Sequence, residues 1–286
     1  MKDFTSIAVL TCWYGPYPWY FPYYVHSCSF NPTIDFYIIT DNLDEIPNKP
    51  DNLIIIYKTL ADIKKIASEK LGFGVSLDYA FKLNDFKPAY GFLFPKIFEG
   101  YSYWGQCDLD IIYGDIRGFL NEKTLNSYDY LSMRHDYTTG CFSLYKNNEK
   151  MNTFFMKSKD YRSVLANYES CCFDECSELG YLPLGKNKSI FEFRTEIVSF
   201  THVIKAAEIT KEIKAHFDFI LLEGNPGKIV FDNGKVIYNN KMEGIMYHLI
   251  NFKKRRSSFK VPKKIPNKYR ISPSKIYHYE KQEEPS

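Results

Sequence analysis

Three short apolar runs near the start of the chain restrict its fold more than any other feature: IAVLT at 7–11, IDFYIIT at 34–40 and LIIIY at 53–57. Each is strand length, rich in β-branched and aromatic residues, and followed by a polar or Gly/Pro-containing stretch. The segments between them suit helices: 21–28, and 60–71 with Ile63, Ile66, Ala67 and Leu71 at helical spacing. Strands alternating with helices predict an α/β protein with a mainly parallel sheet and flanking helices. Later runs at 103–109, 128–133, 141–145 and 244–250 also read as strands. Helices are expected at 75–85, 88–98, 148–157, 162–168, 173–179 and 193–207. Asn233-Gly234 between 228–232 and 235–239 predicts a late β-hairpin.

After residue 252 the composition changes. Lys253, Lys254, Arg255, Arg256, Lys260, Lys263, Lys264, Lys268 and Arg270 crowd together with Pro262, Pro266 and Pro273. Such a segment is expected to stay extended rather than pack a core. The organisation read from the sequence is therefore a domain over 1–252 and a basic, Pro-containing C-terminal tail over 253–286. The tail's charge would suit an anionic membrane surface, with Tyr269, Ile271, Ile276 and Tyr277 adding apolar contact.

Over the whole chain the net charge is only +3, too small to argue for nucleic acid. The seven cysteines are odd in number and contain no C-x-x-C pair, which fits a reducing cytoplasm. No apolar run reaches the ~20 residues of a membrane span. A cytoplasmic location, peripheral on the inner face of the membrane, is expected.

The chemistry is concentrated in YSYWGQCDLDIIYGDIRGFL at 101–120. It reads as an apolar strand ending in Asp108-Leu109-Asp110. Alternate side chains of a strand share a face, so the two carboxylates should point one way and Leu109 into the core. Paired carboxylates repel unless a cation lies between them, and hard divalent ions take such oxygen ligands. Asp-x-Asp alone is common, and a solvated strand end is the plain alternative. Its place at the carboxyl end of an apolar strand favours a ligand site.

Phe86-Lys87-Pro88-Ala89-Tyr90-Gly91, Tyr103-Trp104-Gly105 with Cys107-Asp108-Leu109-Asp110, and Tyr113-Gly114-Asp115-Ile116-Arg117 resemble the bacterial glycosyltransferases of the GT-A fold. Within them the resemblance is to a group associated with capsule and lipopolysaccharide synthesis. It runs from residue 7 to about 256 and is specific only around the Asp-x-Asp strand. It implies a GT-A-like (Rossmann-like) sheet and a metal-dependent glycosyltransferase of surface polysaccharide synthesis. Such an enzyme would move a hexose from a nucleotide diphosphate sugar, a UDP-sugar first, to a glycan or lipid-linked glycan.

The resemblance also implies roles for residues. Asp108 and Asp110, with His248, would hold Mn2+ or Mg2+. Thr11, Asp41, Lys87, Leu109, Lys253 and Lys254 would contact the nucleotide sugar. Asp174 and Glu175 would supply the base of an inverting transfer, with Asp174 slightly ahead. Each has a plainer reading: Asp41 as a turn cap, Lys87 as a surface lysine, the acidic pair as first-turn helix charge, His248 as a packed core side chain. The spacing after His248 departs from the His-x-x-Gly-x-x-Lys pattern of retaining members, which leaves its role and the stereochemistry open. Arg134-His135-Asp136 lies in a loop expected to face the site, holding acceptor hydroxyls or forming a structural salt bridge.

Two other classes compete. A nucleotidyltransferase on a similar fold would need a basic Gly-rich loop after the first strand. Here that loop is Cys12-Trp13-Tyr14-Gly15-Pro16, with no Lys or Arg until Lys49. A non-catalytic carbohydrate-binding or scaffold protein is the other.

Overall fold

The computed structural model describes residues 4–218, 220–223 and 227–279. Its strands are β1 (Ile7–Trp13), β2 (Ile34–Thr40), β3 (Leu53–Tyr57), β4 (Tyr103–Cys107), β5 (Ile111–Tyr113), β6 (Tyr130–Ser132), β7 (Phe142–Lys146) and β8 (Ala215–Phe217). There follow β9 (Leu221–Leu222), β10 (Ile229–Asp232), β11 (Lys235–Tyr238), β12 (Met242–Gly244), β13 (Met246–His248), β14 (Lys268–Ile271) and β15 (Ile276–His278).

The main sheet has the order β3-β2-β1-β4-β7-β6-β8. The first four are mutually parallel; β7 runs antiparallel to both β4 and β6. The α/β, mainly parallel expectation holds. β1 is central because both its faces are apolar: Ile7 and Val9 enter one core, Ala8 and Leu10 the other.

Two helices match expectation in type and bounds, α1 (Phe21–Cys28) and α2 (Leu60–Leu71). α2 begins with a Thr59/Asp62 capping box and ends at Gly72 with φ 74°. It buries Ile63, Ala67 and Leu71.

Elsewhere the helices are shorter than expected. The 75–98 region forms a 3-10 helix, Ala80–Ala89, and one α-turn, Tyr90–Leu93. Pro88 sits inside the 3-10 segment and supplies no N–H to an α-helical ladder. Residues 173–177 are not helical; Cys172 and Ser177 have φ of 50° and 64°, which no right-handed helix tolerates. Asp174 and Glu175 therefore stand on a loop, and first-turn helix charge does not account for them. In the 193–207 stretch, the helix starts only at Phe200.

The basic segment is the main correction. β14 and β15 join β10, β11 and β12 in a five-stranded antiparallel sheet, order β12-β11-β10-β14-β15. Tyr269 and Ile271 are fully buried, and Ile276 nearly so. The segment alternates charged with apolar residues, Lys268-Tyr269-Arg270-Ile271, and one face of β14 packs on the core. Total charge hid that period. Of the four residues expected at a membrane surface, only Tyr277 is exposed. The hairpin itself is as expected, with Asn233 and Gly234 at φ 47° and 84°. Among the described residues no helix is long and apolar enough to cross a membrane.

Candidate active site

A three-stranded sheet, β5-β13-β9, builds the site beside the end of β4. β4 stops at Cys107, and Asp108-Leu109-Asp110 forms a bend that carries the chain into β5. The acidic motif is thus a junction between two sheets rather than the end of one flat strand. Leu109 is buried, as expected.

Register then completes the cluster. β13 pairs antiparallel with β5, His248 opposite Ile111, and the Leu249 amide donates to the Asp110 carbonyl at 2.8 Å. That pairing brings His248 beside the acidic bend. One ligating atom from each of Asp108, Asp110 and His248 lies within 4.8 Å of the others. β13 also pairs parallel with β9, and the residue after β9 is Glu223. Its Oε1 lies 2.7 Å from His248 Nδ1, leaving Nε2 directed toward Asp110, 3.3 Å away.

Each motif carboxylate has an ammonium partner. Lys87 Nζ lies 2.5 Å from Asp108 Oδ1, donates to the Gly140 carbonyl at 3.0 Å, and is 3.7 Å from Asp174. Burial alone would lower the Lys87 pKa; the charges of Asp108 and Asp174 outweigh it and raise the pKa. Lys253 Nζ lies 2.5 Å from Asp110 Oδ2. Burial pushes the Asp110 carboxyl up, but His248 and Lys253 overcome this and hold it below the usual carboxylate range. Burial likewise opposes charge on His248; Cys141, Asp110 and Glu223 around it prevail, and its pKa is raised.

The same cleft is lined by Asp174, which is buried, and Glu175, which is half-buried. Burial raises both pKa values. Glu175 accepts from the Gly140 amide at 2.8 Å and from the Tyr181 hydroxyl. The loop carrying the pair is anchored from beneath by Asp85, which accepts from the amides of Cys171 and Phe173 at 2.9 and 2.8 Å. Asp85 is paired with Lys82 at 2.8 Å, both side chains fully buried. Severing such a pair costs roughly 3–5 kcal/mol.

Lys87, Asp108, Asp110, Asp174, Glu175, His248 and Lys253 line an open cleft of about 500 Å³, together with Thr11, Leu109 and Tyr14. Thr11 Oγ1 donates to the Cys107 carbonyl at 2.6 Å. The Tyr14 hydroxyl is buried and has no hydrogen-bond partner among the described residues. A second cavity of about 520 Å³ shares Glu175, Tyr181 and His248 with the first. Arg134 lines it, held by Asp136 and Glu223 at 2.7 Å each.

Of the residues expected to contact a nucleotide sugar, Thr11, Lys87, Leu109 and Lys253 line the cleft. Asp41 does not; it accepts the Gly15 amide at 3.0 Å and fixes the loop after β1. Lys254 is exposed on the helix Ile250–Arg255 and is also outside the lining. Sequence reasoning missed Tyr14, Gly140, Tyr181 and Glu223. It missed Asp85 too, although Lys82 and Asp85 stand at the i,i+3 spacing of a helical ion pair.

The fold and site together define a mixed α/β protein with a carboxylate–imidazole cluster in an open cleft. The chain belongs to a family of unknown function, DUF6625, whose model matches residues 9–280. No curated protein matches its sequence. Among solved structures it is similar to mouse xyloside xylosyltransferase 1 in its apo form, at 10% identity over 85% of this chain and 96% of that one, TM-score 0.39. It is similar to apo glycosyltransferase GlyE of Streptococcus pneumoniae at 12% identity, over 90% of this chain and 57% of that one, TM-score 0.37. Galactosyltransferase LgtC, in complex with donor and acceptor sugar analogues, matches at 10% identity over 58% of this chain and 66% of that one, TM-score 0.32. Likenesses this distant carry no argument about activity.

Proposed function

We propose that the protein is a metal-dependent glycosyltransferase of the GT-A type. It moves a hexose from a nucleotide diphosphate sugar to a hydroxyl of a glycan or lipid-linked glycan in surface polysaccharide synthesis. One observation supports this reading: Asp108, Asp110 and His248 converge in a cleft that a second carboxylate pair, Asp174 and Glu175, also lines.

Two carboxylates and an imidazole suit Mn2+ or Mg2+ as a donor set. Glu223 on Nδ1 fixes the imidazole orientation such a ligand needs. When bound, the ion would neutralise charge developing on the departing diphosphate. The rest falls to the chain's own groups. Lys87 and Lys253 add positive charge where a diphosphate would lie. The Tyr14 hydroxyl has a free hydrogen bond to offer a ligand.

Glu175 is the better base of the carboxylate pair. Both cavities reach it, whereas Asp174 lines only the first and is the more deeply buried. In the reaction the acceptor oxygen bonds to the sugar's anomeric carbon as the bond to diphosphate breaks, and the acceptor proton passes to Glu175. A base acting on an attacking hydroxyl fits direct, inverting displacement. We further propose that exposed lysines of residues 260–270 meet an anionic membrane surface.

Thermal melting with UDP-, GDP- and CMP-sugars and Mn2+ tests the function. The right donor at a hundredfold excess over its Kd should stabilise the protein by about 2.7 kcal/mol, only with metal present. Asp110→Asn should abolish the shift, read against that variant's own melting point without ligand, which should itself fall because His248 and Lys253 lose their carboxylate partner. An unchanged Mn2+-dependent shift in that variant would remove the site. Binding without any release of nucleoside diphosphate would favour the carbohydrate-binding scaffold instead.

A further inference from the structure

The two lysines at the acidic bend are held differently. Lys87 has a side-chain exposure of 6% and three partners, Asp108, Asp174 and the Gly140 carbonyl. It is locked. Lys253 has a side-chain exposure of 34% and meets Asp110, with its ammonium 5.4 Å from the Tyr20 ring centroid. It stands on the short helix Ile250–Arg255 at the mouth of the cleft. Its ammonium touches Asp110 Oδ2, the same oxygen that lies 3.3 Å from His248 Nε2.

We infer that Lys253 and a divalent cation are alternative partners of Asp110, and that the displaced ammonium becomes a binding group for the diphosphate. This rests on the metal-site reading given above. An ammonium and a divalent cation on one carboxylate oxygen repel, so metal entry drives Lys253 away. Its freed charge then seeks an anion, and the diphosphate moiety of the donor supplies one within the same cleft. The consequence is coupling: metal alone binds against the Lys253–Asp110 ion pair, whereas metal with diphosphate does not. Couplings of this kind span about 5- to 150-fold in affinity. The arrangement would keep the site from holding metal until donor arrives.

The test uses Mn2+ alone and then pyrophosphate as probes. Free Mn2+ is followed by electron paramagnetic resonance in the full chain and in Lys253→Met, with Lys253→Gln as a second variant and melting curves to verify folding. Loss of Lys253 should tighten Mn2+ binding about tenfold, within the usual range of couplings. At saturating Mn2+ the same variants should bind pyrophosphate more weakly. A merely structural lysine would weaken both or neither. Equal Mn2+ affinity in all three proteins overturns the exchange while leaving the metal site standing. Looser Mn2+ binding in the variants overturns it as well. No Mn2+ binding by any of them, with or without pyrophosphate, overturns the metal site and the exchange with it.

Discussion

Two carboxylate pairs face the same cleft and are treated in opposite ways. Asp108 and Asp110 each touch an ammonium, and Asp110 is held below the usual carboxylate range. Asp174 and Glu175 are adjacent in sequence, their nearest cation is Lys87 at 3.7 Å from Asp174, and burial raises both. Both pairs are carboxylates; the surroundings differ. A carboxylate kept ionised by neighbouring cations, as Asp110 is, is suited to hold a cation. Carboxylates raised by burial are suited to exchange protons. Lys87 lies near one carboxylate of each pair, 2.5 Å from Asp108 and 3.7 Å from Asp174.

The largest effect should come from removing the proton acceptor. Glu175→Gln should lower turnover by about 10²- to 10⁴-fold and leave donor and Mn2+ binding near normal, since a base acts in the transition state. Asp174→Asn should cost less. A base works when ionised, so turnover should rise with pH. Because burial raises the Glu175 pKa, that rise should lie above the ordinary glutamate range. A greater loss in Asp174→Asn, measured with the true acceptor, would reverse the assignment within the pair.

Gly140 offers a smaller, structural cut between the two carboxylate pairs. Its amide holds Glu175 and its carbonyl holds Lys87. A Cβ there would clash with Asp174 Oδ2 and lie 3.1 Å from Glu175 Oε1. Gly140→Ala should therefore lose roughly 1–3 kcal/mol of stability in urea melts, the usual cost of overpacking. Turnover should fall, while Mn2+ affinity stays near that of the unaltered protein. If Mn2+ binding collapses as well, the two carboxylate pairs are one unit and the comparison fails.

The legible parts of the molecule were those with a local period. β2, β3, α1 and α2 follow directly from apolar spacing, and the hairpin follows from Asn233-Gly234. The site was legible where one short stretch contains it, at Asp108-Leu109-Asp110. His248 was reachable through the resemblance, but its partner Glu223 was not. Glu223 meets it through the pairing of β9 and β13, a contact between residues 25 apart that no motif encodes. Tyr181 and Gly140 belong to loops, where backbone conformation rather than period places side chains. β14 is not legible from charge density, because its basic residues alternate with the buried Tyr269 and Ile271.

The packing of β14 and β15 on the core decides how the basic segment can be tested. Truncation after Phe259 would delete β14 and β15 and with them buried Tyr269, Ile271 and Ile276. Each such side chain contributes roughly 1.5–3 kcal/mol when fully buried, so the truncated protein should lose its fold rather than its partner. Substitution of exposed charge is the cleaner probe. Lys263 and Lys264 are exposed, unlike the lysine on Asp108. A basic side chain at an anionic leaflet contributes about 1 kcal/mol, so Lys263→Gln with Lys264→Gln should weaken vesicle binding by about 2 kcal/mol at low salt. The difference should fade as salt rises, because exposed charges are screened while the buried pairs of the cleft are not. Turnover on a soluble acceptor should be unaffected. Equal binding of both proteins to phosphatidylserine vesicles at low salt would show that these lysines serve the surface of the fold and not a membrane.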